Sequence, residues 1–198
     1  GTFRNAECFR FDAEGRIRYA WKANTPALNT EDESRYVKEG LLAPGEALVS
    51  MMTSDQGTIV FLLRDGRVKA HAVALSRKAL DTVVRELRNG VDFSRGEAQF
   101  DLELSHKLYR ALLQPLEPDL AGVRQVILVP AGAMLALPPA MLVTEPPRPG
   151  DYAGASWLIK KHAISIVPSI EAFRALRGAA KARPAPQPTA TWRKRRTR

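Results

Sequence analysis

Apolar positions along the chain fall into short blocks divided by turn residues, and their period changes from block to block. The most continuous block is Val123 to Val143, VRQVILVPAGAMLALPPAMLV. Within it Val126, Ile127, Leu128 and Val129, with Val123 nearby, form an apolar run bounded by Gly122 and Pro130. Such a run reads as a strand covered on both faces, in a parallel or mixed sheet with helices on it. Pro130, Ala131 and Gly132 break it at its carboxyl end, where open α/β sheets place their chemistry.

Upstream, the turn Pro44-Gly45 precedes an apolar strand from Ala47 to Met52. A second turn, Ser54 to Gly57, leads into a strand from Thr58 to Leu63, and Asp65-Gly66 marks a tight reversal before Val68 to Leu75. In that third strand Val68, Ala70, Ala72 and Ala74 share one face, and Lys69, His71, Val73 and Leu75 the other. Together they predict a three-stranded antiparallel meander. The period then lengthens: Ala79, Leu80, Val83, Val84 and Leu87 recur at helical spacing, with Ser76 as cap and Gly90 as stop, so Arg77 to Asn89 reads as a helix.

After a polar loop from Val91 to Glu97, a second helix is expected to begin around Ser105, turning Leu108, Tyr109, Leu112 and Leu113 inward before Pro115. Beyond the central strand, Pro138 to Leu142 reads as a short turn plugging the end of the sheet. Thr144 to Ala155, rich in Pro and Gly, reads as an exposed loop. Trp157 to Lys160 and Ala163 to Val167 read as two short strands, and Ser169 caps a helix through Ile170, Phe173 and Leu176.

The two ends differ from this middle. Phe9, Phe11, Ile17 and Tyr19 alternate around Ala13-Glu14-Gly15, a hairpin pattern. Asn24 to Glu39 is a polar linker ending in a helical turn, with Glu31-Asp32-Glu33 as a solvated acidic loop. Past Gly178, KARPAPQPTATWRKRRTR has no amphipathic period and too little apolar surface to order itself. The expected organisation is therefore a poorly defined segment 1–40, an α/β unit 41–178 and a disordered basic tail 179–198.

Charge changes the picture only once it is located. The 198 residues carry a formal charge of +9. After Phe173 there are nine basic residues and no acid, equal to the whole excess, so residues 1–173 are neutral. Nucleic acid is thus a possible partner only through the tail, where Trp192 beside Arg193-Lys194-Arg195-Arg196 offers stacking and phosphate pairing. Cys8, the single cysteine, excludes an intrachain disulfide and a thiolate zinc site. No apolar run approaches the ~18 residues of a membrane span, and the N-terminus lacks a signal-peptide pattern. A cytoplasmic protein without membrane contact is expected.

The wording of Ser105 to Arg177 adds a resemblance. Leu108-Tyr109, then Val129-Pro130, Gly132, Leu135, Leu137-Pro138 and Leu142, then Ala163-Ile164-Ser165 and Pro168-Ser169 resemble the CHAT domain family, caspase-like relatives of cysteine peptidases. The strands from Pro44 onward look like that family's entry segment, so the likeness covers roughly residues 41–177. It implies a partial caspase-like sheet flanked by helices, preceded by the meander. Active CHAT domains use a His and a Cys in His-Gly and Ser-Ala-Cys settings downstream of the "PS" helix. No Cys follows Cys8 and the last histidine is His162. The resemblance therefore implies the N-terminal half of a CHAT-like domain, truncated before its catalytic His and Cys.

The remaining candidates were weighed against that expectation. A Cys–His dyad needs a thiolate within hydrogen-bond reach of an imidazole, and Cys8 lies far in sequence from His71, His106 and His162. His162 reads as a strand-edge residue, and His71 and His106 as surface residues, His106 opening its helix. Three scattered histidines make no metal site, and Pro130-Ala131-Gly132-Ala133 lacks the Gly-Lys-Ser/Thr of a phosphate loop. We thus expect no catalytic, cofactor-binding or metal residue and no cofactor. The chain should be inactive as a peptidase, or alternatively a protein-interaction or self-association module using an exposed sheet edge.

Overall fold

The computed structural model describes residues 10–11, 17–19, 40–92 and 99–182. Strands β1 (Arg10–Phe11) and β2 (Ile17–Tyr19) pair antiparallel as a separate two-stranded ribbon, the hairpin expected from alternation. The expected linker, the acidic loop, Cys8 and the residues from 183 onward lie outside the described residues.

The body is one five-stranded sheet in the order β5-β4-β3-β6-β7. Strands β3 (Glu46–Thr53), β4 (Thr58–Arg64) and β5 (Arg67–Val73) form the antiparallel meander. Asp65 at φ 49° and Gly66 at φ 72° make the reversal between β4 and β5, a two-residue turn with both central residues left-handed, whose twist suits a hairpin. Helix α1 (Arg77–Asn89) follows, then α2 (Leu102–Leu112), a 3-10 turn at Gln114–Leu116 and the single turn α3 (Glu117–Leu120). The apolar run supplies β6 (Gln125–Val129), which joins the open side of β3 in parallel. Two 3-10 turns (Gly132–Ala136 and Pro139–Met141), the helical turn α4 (Leu158–Lys161), strand β7 (Ala163–Ile166) and α5 (Ile170–Ala182) complete the described chain. The α/β reading, helices flanking a mixed sheet with a meander at its start, holds.

Alternation along the central strands divides the core by face. Ala47, Val49 and Met51 of β3, Val60 and Leu62 of β4, and Val126 and Leu128 of β6 pack towards Leu80, Val84 and Leu87 of α1 and Leu108, Tyr109 and Leu112 of α2. The opposite face puts Leu48, Ile127 and Val129 against Leu41, Val167 and Phe173 of α5. Full burial of each such side chain is worth ~1.5–3 kcal/mol.

Four local expectations are corrected. The second helix begins at Leu102, not near Ser105, because Asp101 caps it by accepting from Leu104 N at 2.8 Å. Ser105 is fully buried inside the helix, donating to Met141 O at 2.9 Å and accepting from Val143 N at 3.1 Å. Trp157 to Lys160 is not a strand. Trp157 only bridges Val143, and the chain then closes a helical turn through Lys160 N to Trp157 O and His162 N to Leu158 O. Only Leu158 of α4 is buried while Ile159 stays 51 % exposed, so a one-sided turn suffices where a two-faced strand is not needed. The loop after Val143 is exposed in its middle but tied at its ends, with Thr144 and Ala155 buried. His106 is the fourth, taken up with the site.

Candidate functional site

The carboxyl end of β6 is the first place to look for chemistry. Pro130 follows the strand and Gly132 takes φ +54° with open space beyond its Cα. The turn there presents Ala131, Gly132 and Ala133, buries Met134 and Leu137, and leaves Leu135 64 % exposed. An open groove of about 670 Å³ runs between this turn and α1, lined by Asp81, Arg85, Arg88, Asn89 and Asp92 with Val84, Val91, Ala133 and Ala136. It contains no nucleophile or imidazole. Acids and guanidinium groups alternate along it at helical spacing, so it is not a one-signed anion cradle.

The three histidines are held apart, each on a backbone carbonyl. His71 on β5 is half-buried with Nε2 3.2 Å from Ala111 O. His106 lies in the middle of α2, 9 % exposed, with Nδ1 3.0 Å from Val143 O. It was expected at the surface and at the start of its helix. Asp101 caps the helix upstream of Ser105, so His106 falls in its second turn, on the buried face it shares with Leu102 and Tyr109. His162 follows α4 and directly precedes β7, with Nδ1 2.8 Å from Val123 O. A ring nitrogen next to a carbonyl oxygen must donate, so each tautomer is fixed by its bracket. Cys8 lies outside the described residues.

A polar cluster that the sequence reading missed sits where α2, α3 and α4 meet. Tyr109 OH donates to Glu117 Oε1 at 2.5 Å. Lys161 Nζ lies 3.4 Å from Glu117 and 3.5 Å from Glu145, and Ser156 Oγ donates to Glu145 Oε2 at 3.0 Å. Burial, and then the Glu117 carboxylate, push the Tyr109 hydroxyl well above its ordinary value, so it stays a donor. The cluster joins two carboxylates through one ammonium; it offers neither a free base nor a nucleophile. Its only signal in the sequence was Tyr109 on the inner face of a helix, where a buried hydroxyl demands an acceptor.

Among the described residues no group of three or more His, Cys, Asp or Glu side chains could hold a metal ion, and no helix is long and apolar enough to cross a membrane. What the geometry defines is a mixed α/β sheet with well-satisfied polar groups. Comparison with known proteins then gives the family: the CHAT domain model matches residues 102–195. That stretch, from α2 onward, belongs to the CHAT domain family, which is caspase-like and peptidase-related, and the resemblance carried by Leu108-Tyr109 through Pro168-Ser169 stands. The match leaves out residues 41–101, read as an entry segment, and takes in most of the basic stretch after Gly178. Comparison with curated proteins gives no match.

Proposed function

We propose that this polypeptide is a non-hydrolytic portion of a caspase-like domain, residues 41–178 forming its α/β unit, and that it works by binding another protein chain. The observation that carries the first part is the placement of the imidazoles. The three sit on separate elements, each donating from one ring nitrogen to a backbone carbonyl, and the single cysteine of the sequence, Cys8, is far along the chain from all of them. Cysteine-peptidase chemistry needs a thiolate within reach of an imidazole. The binding part is supported by β7, which closes the sheet on one side with no strand beyond it among the described residues. An open edge is a template for pairing with another strand.

The test is hydrolysis. The purified chain is incubated with a peptide library and, separately, with a thiol-directed activity probe. Neither cleavage nor Cys8-dependent activity is expected. Cleavage that disappears in Cys8→Ala would overturn the non-hydrolytic reading.

A further inference from the structure

Between Val143 and Trp157 the chain leaves the sheet in the loop expected from its Pro and Gly content, and the loop is fastened at both ends. Thr144 N donates to Ser156 O at 2.8 Å, and Lys160 Nζ donates to Ala153 O at 3.2 Å and Ala155 O at 2.8 Å. Trp157 Nε1 donates to Tyr152 O at 3.0 Å, and Tyr152 OH to Phe100 O at 3.1 Å. Between these ties lies Glu145-Pro146-Pro147-Arg148-Pro149-Gly150, three prolines in four consecutive residues.

The sequence dictates the backbone of this run. Proline sets φ near about −65° at positions 146, 147 and 149. The residue before a proline is kept out of the helical region, which applies to Glu145, Pro146 and Arg148. Both restrictions lead to polyproline II. Accordingly, residues 146–148 belong to no helix or strand. Among the described residues Glu145, Pro146 and Pro147 make no backbone–backbone hydrogen bond. A turn then ends the run: Arg148 O accepts from Asp151 N at 3.1 Å, with Pro149 second and Gly150 third at φ +73°, the type II arrangement. Three residues complete one turn of a polyproline II helix, so Pro146 and Pro149 fall on one edge, ~9 Å apart. Both are exposed, as is Arg148, while Pro147, on another edge, is half-buried.

We infer that Pro146 to Pro149 is a docking face for a protein domain whose aromatic-lined groove reads polyproline II. The inference deepens the interaction reading above, on which it rests, but it does not use the β7 edge. Pro146 and Pro149 enter two adjacent clefts between aromatic rings, and the carbonyls of Glu145 to Pro147 accept from the indole N–H or phenol O–H groups that line such a groove. Because both ends of the loop are already fixed, little conformational freedom is lost on docking. The exposed Arg148 between the two prolines favours a groove with an acidic rim.

The test titrates the full chain into a panel of purified SH3 and WW domains, isotope-labelled so that the amide and indole signals of each groove can be followed. At least one domain with an acidic rim should bind saturably, with the shifts confined to its groove. Pro146→Ala, Pro149→Ala and Arg148→Glu should each raise that dissociation constant at least about tenfold, and Pro147→Ala less than about threefold. Each variant should still unfold cooperatively at nearly the urea concentration of the unmodified chain, because the altered side chains lie outside the core. Failure of every domain to bind overturns the inference, leaving the prolines only to stiffen the loop and the wider interaction reading intact. Binding that survives both Pro146→Ala and Pro149→Ala also overturns it, and moves the contact to another surface. Peptidase activity would defeat the non-hydrolytic reading and leave this one standing.

Discussion

His106 lies on the inner face of α2 with Nδ1 against Val143 O, beside Ser105, which exchanges bonds with Met141 and Val143. The two side chains satisfy backbone groups of Met141 and Val143, in a segment that belongs to no strand and makes an isolated bridge to Trp157. His106→Ala should therefore cost ~2–3 kcal/mol of stability, from a stranded buried carbonyl and a small void. His106→Asn, whose amide can replace Nδ1, should recover part of it in urea unfolding. Tyr109 carries a pH signature. Its hydroxyl is held above its ordinary value when folded, so the folded state resists losing that proton. The contribution is fully present below pH ~10, the unfolded value. As pH rises past it, stability should fall by up to ~1.4 kcal/mol per unit, and Tyr109→Phe should flatten the wild-type decline by that amount. At Gly90 an added Cβ would stand 2.7 Å from Gln99 O and 2.9 Å from Phe100 Cα. Both are backbone atoms, so Gly90→Ala should cost ~1–3 kcal/mol despite the better helix propensity of alanine.

Among elements, those with buried faces were the ones legible in the sequence. The β3–β5 meander announced itself through Asp65-Gly66 and alternation, and α1 through Ser76, Gly90 and a clean apolar stripe; each expected boundary lay within a residue or two of that found. Burial on two faces also made β6 readable. What misled was short apolar stretches with only one buried residue. Trp-Leu-Ile-Lys at 157–160 has strand propensity, yet Leu158 alone needs cover, and the local hydrogen bonds of a turn win. Likewise the helix expected to begin around Ser105 starts after the Asp101 cap, so His106 is inside it and not at its opening. The bracketed histidines and the Tyr109–Glu117–Lys161 cluster depend on elements far apart in sequence, so no local pattern could show them. Helix α5 is lightly seated: Phe173 is buried but Leu176 is 60 % exposed. Its polar clasp is Arg177 Nη2 on both Glu46 oxygens at 2.5 Å, with the guanidinium 4.9 Å from the Phe173 ring. Arg177→Met should raise amide exchange in α5 by about tenfold or more, since a charged hydrogen bond of this kind is worth ~1.5–3 kcal/mol. Exchange in β3 should be unmoved.

For the molecule as a whole, the sheet is held unequally from its two sides. One face carries the large core built with α1 and α2; the other carries the small cluster closed by Phe173. A cooperative unit should follow the large core, and the α5 side should open on its own at lower cost. The same kind of change should then read differently on each side. Leu112, fully buried, touches the large core, so Leu112→Ala should lower global stability by ~2–5 kcal/mol and accelerate exchange in β3, β4 and β6 alike. Phe173→Ala should release α5 and speed its amides while β3 and β4 keep their protection, because Ala47, Val49, Val60 and Leu62 still face α1 and α2. Equal loss of protection on both sides in Phe173→Ala would mean one indivisible core. Unequal loss would mean that the central strands β3, β4 and β6 with α1 and α2 make the stable unit, and that α5 opens separately from it.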